Sequence, residues 1–276
     1  MTEEAAIKHS KLPITRSRIV NDLHELGVRA GDKIIVHTSM SKIGWVCGGA
    51  RTVIEALQEA VTETGLLVMP THSADVSDPA EWGNPAVPRS WYRAIYQEMP
   101  AFDPMKTPTL GMGTVAELFR TCPGVQRSNH PIYSFAAWGN MKASAVGNHG
   151  LNDGLGMRSP LGEIYKNHGR IVLIGVSYRK NTSMHLGEIM SGHLQKTKRM
   201  SPIDVNGQRK WLRYWDWDYH EETFEKIGRL FEQTATASSA IRKGLIGQAC
   251  SLLLDQKMIV DFTAAYLKTC HQTILQ

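Results

Sequence analysis

The chain has 276 residues, 42% of them hydrophobic and 21% charged, which is enough for a sizeable core and typical of a globular protein. That balance excludes collagen, low-complexity disorder and a coiled coil, and no run approaches the roughly 18 apolar residues of a membrane span. Lys and Arg number 31 against 26 acids, a net charge of +5. Its densest stretch (Lys196, Lys198, Arg199, Arg209, Lys210, Arg213) is broken up by other residues, so it reads as a solvated face or a small-anion site rather than a nucleic-acid stripe.

The start, MTEEAAIKHSKLPITRSR, has no apolar core and does not read as a secretory signal. The four cysteines lie far apart without CxxC spacing, so neither a disulfide framework nor structural zinc is expected. A reducing cytoplasm is the expected location.

Ser17 to Leu26 carries Ile19, Val20, Leu23 and Leu26 at helical spacing, with Gly27 as its C-terminal stop. Lys33 to His37 is a β-branched run that reads as a buried strand. After the loop TSMSKIGWVCGG, Ala50 to Thr62 shows a second apolar helical face, and Gly65 to Pro70 a second buried strand. Helix, strand, loop, helix, strand favours an α/β layer fold with a mainly parallel sheet.

Residues 71–111 are rich in Pro, Asp and Gly but hold several aromatics, the texture of a functional loop. A short helix is expected at Val115 to Arg120, a strand at Tyr133 to Trp138, and the clearest buried strand at RIVLIGV, opened by Gly169. MHLGEIMSGHL then reads as a helix capped by Thr182 or Ser183. Trp211 to Tyr219 alternates like an edge strand. Amphipathic helices are expected at Glu222 to Thr234, at Gly244 to Leu254 and near Ala264.

Four features can carry chemistry. The loop Thr38-Ser39-Met40-Ser41-Lys42-Ile43-Gly44 offers hydroxyls and free N–H groups as a phosphate cradle, or is a plain turn and cap. Thr107 to Thr114, with two glycines, allows close backbone approach to a ligand, or is a surface loop. His185 sits on a first helical turn after a buried strand, with Glu188 three positions on along the same face. That is the placement of a general base and its orienting acid, or of a capping or core histidine. A pair of ligands is too few for a metal. Lastly, Asp75, Asp78, Glu81, Asp216 and Asp218 lie among tryptophans, suited either to a cationic ligand or to solvent.

Taken together, GDKIIVHTSMSKIG, LLVMPTHS, FDPMKTPT, MGTVAELFR, RSNHP, RSPLGEIY and VLIGVSYRKNTSMHLGE resemble, in order, the aminoglycoside 3-N-acetyltransferase family, which lies outside the GNAT fold. The resemblance implies one α/β domain over residues 1–276, a three-layer unit with a mixed central sheet flanked by helices. It implies acetyl-CoA as co-substrate, no metal, and an amine acceptor, in particular the 3-amino group of a 2-deoxystreptamine aminoglycoside. Thr38, Ser39, Ser41 and Gly44 fall on the site for the phosphate-bearing part of CoA. Phe102, Thr107, Thr109, Met112, Gly113 and Val115 fall on the pantetheine channel.

His185 matches the family's catalytic base, with Glu188 or Asp216 to stabilise the imidazolium. Asp75, Asp78, Asp216 and Asp218 match substrate-facing acids. Two features depart from the pattern: the overall positive charge, and Arg158 in a block that shapes the acceptor pocket of relatives. Both leave room for a different amine acceptor. Acyl transfer through Cys47 or Cys122, and a basic nucleic-acid-binding module, are the remaining alternatives.

Overall fold

The computed structural model describes residues 3–274. A seven-stranded mixed sheet runs in the order β3-β4-β2-β1-β5-β9-β8. Its strands are β1 (Lys33–Thr38), β2 (Leu66–Pro70), β3 (Gln126–Arg127), β4 (Phe135–Gly139), β5 (Arg170–Ile174), β8 (Ile241–Ile246) and β9 (Ala249–Asp255). Only β2, β1 and β5 are parallel, with Ile35 in register with Val68 on one side and Ile171 on the other. All other pairings are antiparallel. The mainly parallel sheet suggested by the first elements is therefore corrected to the mixed sheet that the resemblance implies.

The central strands are apolar on both faces because both faces are covered. Ile34, Val36, Leu67, Met69, Val172 and Ile174 join one core, which includes residues of the helices Arg16–Leu26, Gly49–Val61 and Gly113–Phe119. The alternate residues Ile35, Leu66, Val68, Ile171 and Leu173 join the other. That second core takes residues from the helices Pro160–Lys166, Met184–Ser191, Phe224–Glu232 and Gln256–Ile274. The helix Arg16–Leu26 begins on Thr15, whose Oγ accepts from Arg18 N, and stops at Gly27 in the left-handed conformation.

Three segments depart from expectation. Gly244 to Leu254 is a β-hairpin, not a helix. Gly247 turns the chain at φ +60°, and any Cβ there would collide with the Ile43 carbonyl. The polar run Lys196–Val205 forms β6, paired antiparallel with β7 (Gln208–Trp217) in a separate two-stranded ribbon. Asn206 and Gly207, both at positive φ, close that hairpin. The long loop holds a helix, Tyr92–Glu98.

Three exposed basic residues of the ribbon make contacts within the chain. Lys196 and Lys198 lie over Trp217 and Trp215, and Arg209 binds the carbonyls of Tyr96 and Met99. Among the described residues no helix is long and apolar enough to cross a membrane.

Candidate active site

A cavity of about 600 Å³ opens at the C-terminal ends of the parallel strands, where His37 and Thr38 leave β1, Met69 and Pro70 leave β2, and Val176 follows β5. Strand β1 has β2 on one side and β5 on the other, so the chain passes to opposite flanks there and leaves a crevice. The segment Thr38–Ser41, which passes from the end of β1 into the short helix Met40–Ile43, lines it together with Gly111–Ala116, His185 and Tyr219.

The helix Met184–Ser191 presents His185 because Met184 and Leu186 are drawn into the core and Gly187 packs against the C-terminal helix. A Cβ at residue 187 would lie 2.8 Å from the Val260 carbonyl oxygen and 2.7 Å from Thr263 Cβ. Ser183 occupies the N-cap position but makes no capping hydrogen bond, contrary to expectation; its Oγ accepts from Gln256 Nε2 at 3.0 Å. Asn181 Oδ1 accepts from Ser183 N instead.

His185 Nδ1 lies 2.5 Å from Glu188 Oε2. Glu188 is buried and its other oxygen accepts from His220 N at 3.2 Å, so the carboxylate is fixed from both ends. Ionised, Glu188 places the imidazole proton on Nδ1 and leaves Nε2 with its lone pair. The ring of Phe224 lies tilted at 4.7 Å from the imidazole and that of Tyr219 edge-on at 5.1 Å.

Asp216 is not beside His185. It is fully buried, and its Oδ1 accepts from Gly154 N, Trp217 N and the Tyr219 hydroxyl. Burial, opposed by those hydrogen bonds, lifts its pKa to about 6. Its other oxygen has no hydrogen-bond partner and lies 3.8 Å from His130 Nε2. The Tyr219 hydroxyl also accepts from Leu155 N at 2.9 Å. Asp216 therefore reaches the cavity only through Tyr219.

The other expected residues divide. Thr38, Ser39, Ser41, Met112, Gly113 and Val115 line the cavity; Gly44, Phe102, Thr107 and Thr109 do not. Gly44 backs onto Ser10 and Gln248. Phe102 lies under the Arg127 guanidinium, Thr107 gives its carbonyl to Arg127, and Thr109 N donates to Glu117. Asp75 lines a second cavity of about 460 Å³ that shares Tyr133 with the first. Asp78 caps Ala80 N and accepts from the Tyr96 hydroxyl. Asp218, past the end of β7, is exposed and lies 3.5 Å from Arg199. Arg158 is exposed and lines neither cavity. Cys47 and Cys122 line neither cavity, and burial pushes the Cys122 thiol up, away from the thiolate.

Several participants escaped sequence reasoning. Buried Arg127 donates to Thr71, Ser73, Ser134, Pro104 and Thr107, and so ties both ends of the long loop to β3. His37 and His72 line the cavity, and burial, reinforced by nearby His185, lowers each to about 3. Tyr133 and Tyr219 stack edge to face at 5.3 Å. All lie inside the segments VHTS, PTHS, QRSNHPIY and WDWDY, and nothing in periodicity separates them from their neighbours. Among the described residues no group of three or more His, Cys, Asp or Glu is placed to hold a metal ion.

A sequence model described as aminoglycoside 3-N-acetyltransferase matches residues 35–268. The chain is 42% identical to an SPbeta prophage-derived aminoglycoside N(3')-acetyltransferase-like protein, YokD, of Bacillus subtilis (strain 168), over 93% of each chain. The YokD crystal structure superposes with a TM-score of 0.94 at 40% identity, covering 98% of both. A structure described as AAC-IIIb binary with CoASH matches at TM-score 0.82 and 27% identity, over 94% of this chain and 98% of that one. AAC-VIa bound to sisomicin matches at 0.83 and 31%, over 94% and 99%.

Proposed function

The chain belongs to the aminoglycoside 3-N-acetyltransferase family, and from that premise we propose that it transfers the acetyl group of acetyl-CoA to the 3-amino group of a 2-deoxystreptamine aminoglycoside. The observation that carries this reading is His185 in the wall of the strand-end cavity, its Nδ1 held by the buried Glu188 so that Nε2 is left as the free nitrogen. The similarity to structures described with CoASH and with sisomicin supports both substrates. The sheet with a core on each face supports reading residues 1–276 as one domain.

In this reading the loop Thr38–Ser41 takes the phosphate-bearing part of CoA, and Met112, Gly113 and Val115 flank its thioester arm. Gly44, Phe102, Thr107 and Thr109 support those walls from behind. The acceptor reaches His185 past Tyr133, with Asp75 and Asp218 attracting its other ammonium groups. Asp78 and Asp216 act one layer further out, through Tyr96 and Tyr219.

An ammonium cannot attack until it loses a proton. His185 Nε2 takes that proton as the amine nitrogen bonds to the acetyl carbon, and Glu188 stabilises the imidazolium. Backbone N–H groups at Gly113 to Val115 face the carbonyl oxygen as its charge develops. The carbon–sulfur bond then breaks, and the departing thiolate takes a proton back from His185. Neither cysteine is needed, because the attack is direct.

Thiol release from acetyl-CoA across an aminoglycoside panel tests the reading. His185→Ala should lower turnover by about 10²–10⁴ while CoA still binds. Turnover within a few-fold of the unmodified enzyme would remove His185 as the base. A second reading, the same transfer to an amine with fewer positive charges, is favoured by Arg199, which stands in the second cavity.

A further inference from the structure

Arg199 lies on β6 and lines the second cavity, whose wall also carries Asp75 and Glu81 and shares Tyr133 with the first. Its Nη1 donates to Glu81 Oε2 at 2.8 Å, and its Nη2 lies 3.5 Å from Asp218 Oδ1. Its side chain is only 21% exposed, and its buried Nε has no hydrogen-bond partner. Burial opposes the guanidinium's charge, but the hydrogen bond to Glu81 and the charges of Glu81 and Asp218 more than offset it and hold the pKa above its ordinary value. Arg199 thus occupies, as a fixed cation, the place between two carboxylates that an ammonium group of an acceptor would otherwise take.

This inference rests on the acetyltransfer reading, in which the acceptor passes Tyr133. We propose that Arg199 is a specificity-determining residue: a resident cation that competes with the acceptor's outer ammonium groups for Glu81 and Asp218, and so disfavours many-amine acceptors relative to those with one or two amines. The competition has a sign that a merely structural role lacks. Removing Arg199 strengthens the binding of a polycation, whereas removing a scaffold residue weakens every ligand.

The test is calorimetric titration of the intact protein with neomycin, a many-amine aminoglycoside, and with 2-deoxystreptamine, the diamine core. Arg199→Gln should bind neomycin at least about fivefold more tightly and 2-deoxystreptamine within about twofold of the unmodified protein. The gain should shrink as salt screens the exposed carboxylates. Arg199→Lys, which keeps the charge, should retain the original preference. Neomycin binding that is unchanged or weaker in a Gln variant with an unaltered melting temperature overturns the proposal.

Glu81→Gln provides an independent arm should the Arg199 variant not fold. It leaves the guanidinium less neutralised, so neomycin should weaken more than 2-deoxystreptamine; equal effects on both overturn the proposal. Thiol release is read separately with neomycin and with 2-deoxystreptamine. Its absence with both in the unmodified protein counts against acetyltransfer to aminoglycosides, while the binding comparison still decides the role of Arg199.

Discussion

Asp216 gathers three donors on one carboxylate oxygen, and the chemistry of that oxygen sets what each substitution does. Asp216→Asn keeps an acceptor for Gly154 N, Trp217 N and Tyr219, whereas Asp216→Ala orphans all three in a buried place. The alanine variant should lose about 3 kcal/mol of stability and the asparagine variant clearly less. Thermal melts that place the two together would refute this account. The three-residue spacing of His185 and Glu188 was enough to read a shared helical face, and their hydrogen bond lies on it. The acids of WDWD were harder to read. Period-two alternation puts Asp216 and Asp218 on one face, but it does not tell that the 150s loop covers the first while the second lies beyond the strand's end. Arg199 illustrates the same limit, since its partner Glu81 lies 118 positions away in sequence.

At the scale of elements, the helix Phe224–Glu232 fixes the ring that flanks His185 and packs tightly at Gly228. A Cβ there would run into the Tyr178 ring. Gly228→Ala gains helix propensity of about 1 kcal/mol yet should destabilise by a net 1–3 kcal/mol, roughly the usual cost of overpacking. Chemical denaturation measures this directly, and an unchanged midpoint would show that the helix can slide off Tyr178. The central strands were plain from sequence because burial on both faces leaves a short, nearly unbroken apolar run. The β8–β9 hairpin was not, because its apolar residues also satisfy a helical spacing, and the close approach of Gly247 to Ile43 joins residues far apart in sequence. The ribbon strand β6 is polar and carries Pro202, so it has no apolar alternation to find. Its one clear signal was the Asn206–Gly207 turn.

At the scale of the whole molecule, burial depresses four histidines among the described residues. His37 and His72 fall to about 3, His149 to about 4, and His130 well below its ordinary value. An unfolded chain protonates all four near pH 6.5, while the native state does not, so the stability present above that pH is lost as pH falls toward the native values. Asp216 works the other way: the native state keeps a proton up to about pH 6 that the unfolded chain has already released, and its contribution fades as pH rises through that value. The histidines outnumber it. Unfolding near pH 5 should therefore take up about three protons, for a slope of about 4 kcal/mol per pH unit. Melting temperatures that stay level from pH 7 to pH 5 would contradict this. The buttress beneath the helix Met184–Ser191 has a different consequence. Gly187 rests on Val260 and Thr263, and Ser183 is tied to Gln256, so the seat of His185 is made by the helix Gln256–Ile274. On the ribosome, His185 emerges well before that helix is synthesised. Completion of the site is thus a late event in biosynthesis, and a premature stop codon ahead of Gln256 leaves the histidine without its foundation.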